Sequence, residues 1–248
     1  MKVSSKIKYI KNWILKYCKS MPKEAKSLII GVSGGIDSSV VSTICAMTGK
    51  KVFAVAMPIR QLKIQHNLSL KHQCWLKKKF KNVETPVINL NKLFKSFEFT
   101  LKKFDSVHGF ANSRARLRMM TLYQIAQSNN GIVVGTGNKV EDFGVGFYTK
   151  YGDGGVDIAP IADCTKSDVW EIGKELKILE EIINATPTDG LWDDGRTDTN
   201  QIGLNYLEIQ EAMSNKNSKF YKKYKKIRNI NLHKMLPIPV CKIKKNAR

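Results

Sequence analysis

At 248 residues the chain can bury one sizeable core but is too short for a large multidomain enzyme. Apolar residues make up 42% and charged residues 25%, ordinary globular usage that excludes disorder, collagen and coiled coil, and no apolar run approaches the ~18 residues of a membrane span. The formal charge of +21 favours anionic ligands, yet only seven of the 42 basic residues are arginine, the side chain that reads bases and phosphates bidentately. No dedicated nucleic-acid partner is therefore expected. Ser4–Met21 is broken by Lys6, Lys8, Lys11, Lys16 and Lys19, which leaves no apolar core for a signal peptide. The five cysteines (Cys18, Cys45, Cys74, Cys164, Cys241) are odd in number and widely spaced, as expected of reduced thiols in the cytoplasm, and the histidines are too scattered for a His/Cys metal site.

In chain order, Ser5–Tyr17 carries Ile7, Ile10, Ile14 and Tyr17 at helical spacing, predicting an amphipathic helix. Leu28–Val32 predicts a strand, followed by a Gly-rich turn and a helix over Ser38–Met47. Val52–Met57 predicts a second strand, Asn67–Phe80 a helix, Val83–Leu90 a third strand and Lys92–Phe104 a helix. Ser113–Gln127 predicts a helix and Ile132–Val134 a fourth strand, closing at Gly135-Thr136-Gly137. This alternation predicts an α/β fold: an open, mainly parallel, Rossmann-like sheet with helices on both faces and ligands beyond the carboxyl ends of its strands. Gly144–Gly155 is irregular, Asp168–Leu176 and Leu179–Ile183 are short helices, and Pro187–Thr199 is a polar, Gly-rich loop expected to be mobile. Ile202–Met213 and Ser218–Arg228 are the last expected helices. A single domain over 1–248 is expected, with an N-terminal helix at about 4–20, a nucleotide-binding core at about 27–185, and the loop and C-terminal helices at about 186–248.

Gly31-Val32-Ser33-Gly34-Gly35-Ile36-Asp37-Ser38-Ser39 carries the sharpest signal. Its glycines let backbone approach an anion, its serines add donors, and the following helix turns its amides toward the ligand. It is neither a Walker loop nor a dinucleotide fingerprint. Asp37 would repel a phosphate unless a cation lay between them, which implies Mg²⁺.

The turn resembles the Ser-Gly-Gly-x-Asp-Ser motif of the ATP pyrophosphatases. A second segment, Gly135-Thr136-Gly137-Asn138-Lys139-Val140-Glu141 followed by Gly146-Phe147-Tyr148-Thr149-Lys150-Tyr151-Gly152-Asp153-Gly154-Gly155-Val156-Asp157, resembles the signature of the NAD synthetases. Arg-Ala-Arg-Leu-Arg-Met at Arg114–Met119, Thr165-Lys166, Pro187-Thr188-Asp189-Gly190-Leu191, Gly203-Leu204-Asn205-Tyr206 and His233-Lys234 are further matches, so the likeness spans roughly Ile29 to Pro239. Two departures stand out: one residue is extra between Glu141 and Lys150, and Asp189-Gly190 replaces Ala-Asp.

The resemblance implies a carbon–nitrogen ligase that adenylates the nicotinate carboxylate of deamido-NAD with ATP, releases pyrophosphate, and lets ammonia displace AMP to give NAD. It implies ATP contacts at Gly31, Val32, Ser33, Gly34, Gly35, Ile36, Asp37, Ser38, Ser39, Thr136, Lys166 and Thr188, and Mg²⁺ ligands at Asp37 and Glu141. It implies deamido-NAD contacts at Arg116, Lys150, Asp157, His233 and Lys234. No side-chain nucleophile is required, and free ammonia is the expected donor because the chain is too short to include a glutaminase. Arg114, Arg116 and Arg118 alternate and cannot share one helix face. The resemblance also implies a homodimer, with Leu117, Met119, Met120 and Tyr123 surrounding much of their helix and demanding cover on more than one side. A tRNA-modifying pyrophosphatase and a non-catalytic nucleotide-binding module are the rival readings.

Overall fold

In the computed structural model, residues 1–188, 190–192 and 194–243 are described. Four parallel strands, β1 (Ser27–Gly31), β2 (Lys51–Val55), β3 (Val83–Glu84) and β4 (Gly131–Val133), form one sheet in the order β3-β2-β1-β4. The registers Ile29↔Phe53 and Ile29↔Val133 place β1 between β2 and β4. The chain runs outward from β1 through β2 to β3, then returns to add β4 on the other side. The crevice of such a switch point opens at the carboxyl ends of β1 and β4, where the two Gly-rich turns lie.

The expected strand over Val83–Leu90 shrinks to two ladder residues with an isolated bridge from Ala56 to Val87. Pro86 has no N–H for a ladder, and its carbonyl instead accepts from Ala56 N at 3.0 Å.

Helix α1 (Val3–Ser20) lays Ile7, Ile10, Ile14 and Cys18 on α2 (Ile36–Met47) and α6 (Lys166–Glu175). Ile14 is fully buried, and such a side chain contributes about 1.5–3 kcal/mol. On the opposite face α4 (Asn91–Thr100) and α5 (Val107–Ser128) cover Ile29, Phe53, Val55 and Val133. A third cluster, around Val140, Val145, Ile209 and Tyr224, ties a π-helical turn (Glu141–Val145) to α9 (Tyr206–Ser214) and α10 (Tyr221–Met235).

Several boundaries move. α3 (Lys63–Lys79) starts four residues earlier than expected. The helix expected over Lys92–Phe104 splits into α4 and a 3-10 turn at Lys102–Phe104. α5 begins at Val107 because Ser106 caps it, accepting from Gly109 N. The short helix α7 (Glu180–Ile183) falls where expected. The helix expected over Ile202–Met213 is interrupted at Gly203, whose φ of 78° ends α8 (Asp198–Ile202), and restarts at an Asn205–Glu208 capping box. The last helix reaches Met235 and so carries His233 and Lys234. Of the four apolar residues of α5 expected to need further cover, Met119 is buried, Leu117 and Tyr123 pack on the core, and Met120 stays exposed. No described helix is long and apolar enough to cross a membrane.

Candidate active site

The turn after β1 is tied by its own serines. Ser38 Oγ donates to Gly35 O (3.0 Å), lies 3.1 Å from Ser33 Oγ and accepts from Ser33 N (3.3 Å), while Gly35 N donates to Ser33 Oγ at 3.2 Å. Gly34 has a φ of 93°, and a Cβ there would fall 2.6 Å from Gln65 O and 2.9 Å from Ser69 N. Only glycine lets α3 pack this close behind the turn.

A cavity of about 270 Å³ opens over the turn. Gly31 to Ser38, Thr136, Glu141, Lys166 and Thr188 all line it, as do Arg118, Asp142 and Asp153. Ser39 does not: it is fully buried and donates to Gly35 O at 2.9 Å, bracing the helix start.

At the cavity floor three charges meet. Lys166 Nζ lies 2.6 Å from Asp37 Oδ2 and 2.8 Å from Glu141 Oε1, with its side chain 2% exposed. It also sits 4.7 Å from the centre of the Tyr206 ring. Thr165 caps α6, which fixes Lys166 as the first helical residue and aims it inward. Asn138 Nδ2 donates to the other oxygen of Asp37 at 2.9 Å, while its own oxygen accepts from Val140 N and Glu141 N. The two carboxylates flank one ammonium and titrate unequally. Burial raises Asp37 above its ordinary value against the pull of Lys166. Burial also acts to raise Glu141, but Lys166 outweighs it and holds Glu141 below its ordinary range. Burial lowers the Lys166 ammonium and the two carboxylates more than reverse this, leaving it raised.

Asp142 follows Glu141 in the π turn. Its carboxylate fills the space a Cβ at Gly137 would take and accepts no hydrogen bond among the described residues. Burial, then Asp153, Glu141 and Asp37, push it well above its usual value.

The five residues matched to the dinucleotide lie outside this cavity. Four gather on the signature loop: Arg116 Nε donates to Lys150 O (3.2 Å), Lys150 Nζ to His233 O (3.3 Å) and Lys234 Nζ to Tyr148 O (2.8 Å). Asp157 stands apart, accepting from Val133 N (2.8 Å) and Tyr123 Oη (3.0 Å) at the end of β4. Of the alternating arginines, Arg114 is buried, Arg116 exposed, and Arg118 lines the cavity with Nε donating to Met57 O at 3.1 Å. Asn138 and Asp142 were missed as site residues, whereas Arg118 was already one of the three arginines weighed as substrate contacts. Asn138 had a signal, since an amide beside two turn glycines is a turn-capping residue. The loop expected over Pro187–Thr199 folds back on α3, where Gln65 donates to Thr188 Oγ1; Asp189 and Asp193 lie outside the described residues.

A Gly-rich turn and a carboxylate–ammonium–carboxylate triad meet at the switch point of a parallel sheet, where α/β proteins of this class bind their ligands. The chain belongs to the NAD synthase family, whose sequence profile matches residues 6–246. It is 35% identical to an NH3-dependent NAD(+) synthetase from Alkaliphilus metalliredigens, over 96% of this chain and 99% of that one. It is 38% identical to the NH3-dependent NAD(+) synthetase of Mycoplasma genitalium, over 84% and 83%. Among solved structures, an NMN synthetase from Francisella tularensis superposes with a TM-score of 0.89 at 30% identity, covering 98% of this chain and all of that one.

Proposed function

We propose that this chain makes NAD from deamido-NAD, ATP and ammonia through an adenylated nicotinate carboxylate, with AMP and pyrophosphate as products. The observation that carries the reading is Lys166 set between Asp37 and Glu141 under the phosphate turn. A carboxylate is a poor electrophile, and transfer of AMP makes it a good one while charge accumulates on the departing pyrophosphate. Turn amides, Ser33, Thr136 and Lys166 supply fixed donors for that charge, and Ser38 braces the turn through its bond to Gly35 O. Arg116, Lys150, His233 and Lys234 are read as the basic rim that receives the dinucleotide, and Asp157 as its support from the end of β4.

Among the described residues no group of three or more His, Cys, Asp or Glu is arranged as a metal cage. Mg²⁺ does not need one: one or two carboxylates plus substrate phosphates and water are its usual company. Asp37 and Glu141 offer hard oxygens on the cavity wall, and Asp142 a carboxylate with no donor among the described residues, so the donor set fits. Asp37 and Glu141 would hold the ion, which would neutralise charge on the phosphates. A homodimer is part of the proposal, with exposed Phe104, Val107 and Met120 on and beside α5 as apolar surface a second copy would cover.

The likeness to the F. tularensis protein supports a second reading, in which the acid amidated is a mononucleotide. NAD or NMN formation from deamido-NAD and from nicotinate mononucleotide, each with ammonia and with glutamine, tests both. Amide formation from deamido-NAD and ammonia is expected. Preference for the mononucleotide establishes the second reading, and turnover of neither acid rejects both.

A further inference from the structure

Glu141–Val145, in the segment where the family resemblance implies one extra residue, forms a π turn. Val145 N bonds Val140 O at 3.1 Å and Gly146 N bonds Glu141 O, each five residues back. Such turns are rare and concentrate at functional sites. The turn is followed by Gly146 in the left-handed region, with a φ of 69°, so the carbonyls at its end have no next turn to receive them. Three consecutive carbonyls, those of Phe143, Gly144 and Val145, are thereby left to other donors.

All three are met from α10. Arg228 Nη1 donates to Phe143 O and, at 2.6 Å, to Gly144 O. Asn231 Nδ2 donates to Val145 O at 3.0 Å. Residues 228, 231 and 235 share one helix face, and Gly146 is pressed against it: a Cβ there would meet Asn231 Cβ at 2.7 Å and Met235 Cε at 2.8 Å. The first residue of the captured turn is Glu141 in the Lys166 triad, and the second is Asp142 in the cavity.

We propose that Arg228 and Asn231 are positioning residues for the reaction: by capping the carbonyls the π turn frees, they hold it so that Glu141 reaches Lys166 and Asp142 faces the bound nucleotide. The effect on turnover rests on the function proposed above; the capping does not. Both bonds leave the single nitrogen Nη1, so a lysine ammonium, with three donors on a shorter stem, replaces them only in part.

The test compares kcat and KM in wild type, Arg228→Lys, Arg228→Gln and Asn231→Ala, with Arg228→Gln repeated in a chain lacking Phe143. Amide hydrogen exchange over residues 144–147 and thermal unfolding are followed in each. Arg228→Gln should lower kcat about 10- to 100-fold, the scale of a small misplacement of reacting groups, while the KM for ammonia and the unfolding midpoint stay near wild type. Arg228→Lys should recover part of the loss. Removing Phe143 shortens the π turn by one residue toward an α turn, so Arg228→Gln should then cost less than about two-fold. Folded Arg228→Gln with kcat and KM within about two-fold of wild type overturns the proposal, as does a loss of kcat that merely tracks unfolded protein. If wild type amidates neither acid, the proposed function fails on its own. Exchange then decides: faster exchange at 144–147 in Arg228→Gln upholds the capping, and unchanged exchange overturns it.

Discussion

Asn138 Nδ2 and Asp37 Oδ1 lie 2.9 Å apart across 101 residues of sequence, so the turn after β4 is bonded directly to the helix that opens after β1. One face of the Asp37 carboxylate is thus fixed by an amide and the other by Lys166, and the two turns of the site move as a unit.

Lys166 is the common neighbour of two buried carboxylates, and removing one member of such a set leaves the rest uncompensated. Lys166→Met should lose about 3–5 kcal/mol of stability and at least ~10²-fold in turnover. Asp37 is already raised, so without the ammonium its folded value rises further above the unfolded one. The folded state then binds more protons than the unfolded state, and the stability of Lys166→Met should recover as pH falls through the raised Asp37 value. Urea unfolding across a descending pH series checks this.

Gly34→Ala should be costly for two separate reasons. The φ of 93° opposes any side chain at about 1–3 kcal/mol, and the new Cβ would press on the backbone of α3 at Gln65 and Ser69. Lower stability together with weaker ATP binding by calorimetry is expected, because α3 and the turn must separate.

His72 is fully buried, bonded to Ser42 Oγ at 2.9 Å and stacked on Trp75, and burial lowers its pKa from 6.5 to about 3. It folds neutral. Its contribution is complete above pH 6.5 and is lost as pH falls toward about 3, while only the unfolded chain takes up the proton. At about pH 5 the loss is about 2 kcal/mol. His72→Leu cannot titrate, and its stability between about pH 7.5 and 5 should fall by that much less than that of wild type.

Arg196 is the only Lys or Arg between Lys177 and Lys216, so trypsin reads the 187–199 segment at one bond. It pairs with Asp194 and stacks 4.1 Å over Trp192. ATP with deamido-NAD should slow cleavage there by closing the segment over the adenylate, which would otherwise meet water. Equal cleavage with and without ligand removes the lid role.

The phosphate turn was legible because every part of it is local: strand, glycines, serines and helix start follow within a few residues. Asp37 was legible from the turn itself, and Lys166 and Glu141 only through resemblance to a family; their meeting in one triad was not legible, since no periodicity links positions so far apart. Asp142 was not legible, because its direction depends on a π turn that composition does not distinguish from an α turn. Arg228 and Asn231 were hidden for a related reason: they recognise backbone carbonyls, which carry no side-chain signature. Pro86 could have been weighed more heavily, since a missing N–H shortens any strand that contains it.

The position of α10 has a consequence for biosynthesis. All four strands have been synthesised once the ribosome passes Val133, but the donors that settle Glu141 and Asp142 arrive about a hundred residues later, at Arg228 and Asn231. A nonsense codon shortly before Arg228 would therefore leave the sheet and both main apolar layers encoded while removing the donors that hold Glu141 and Asp142.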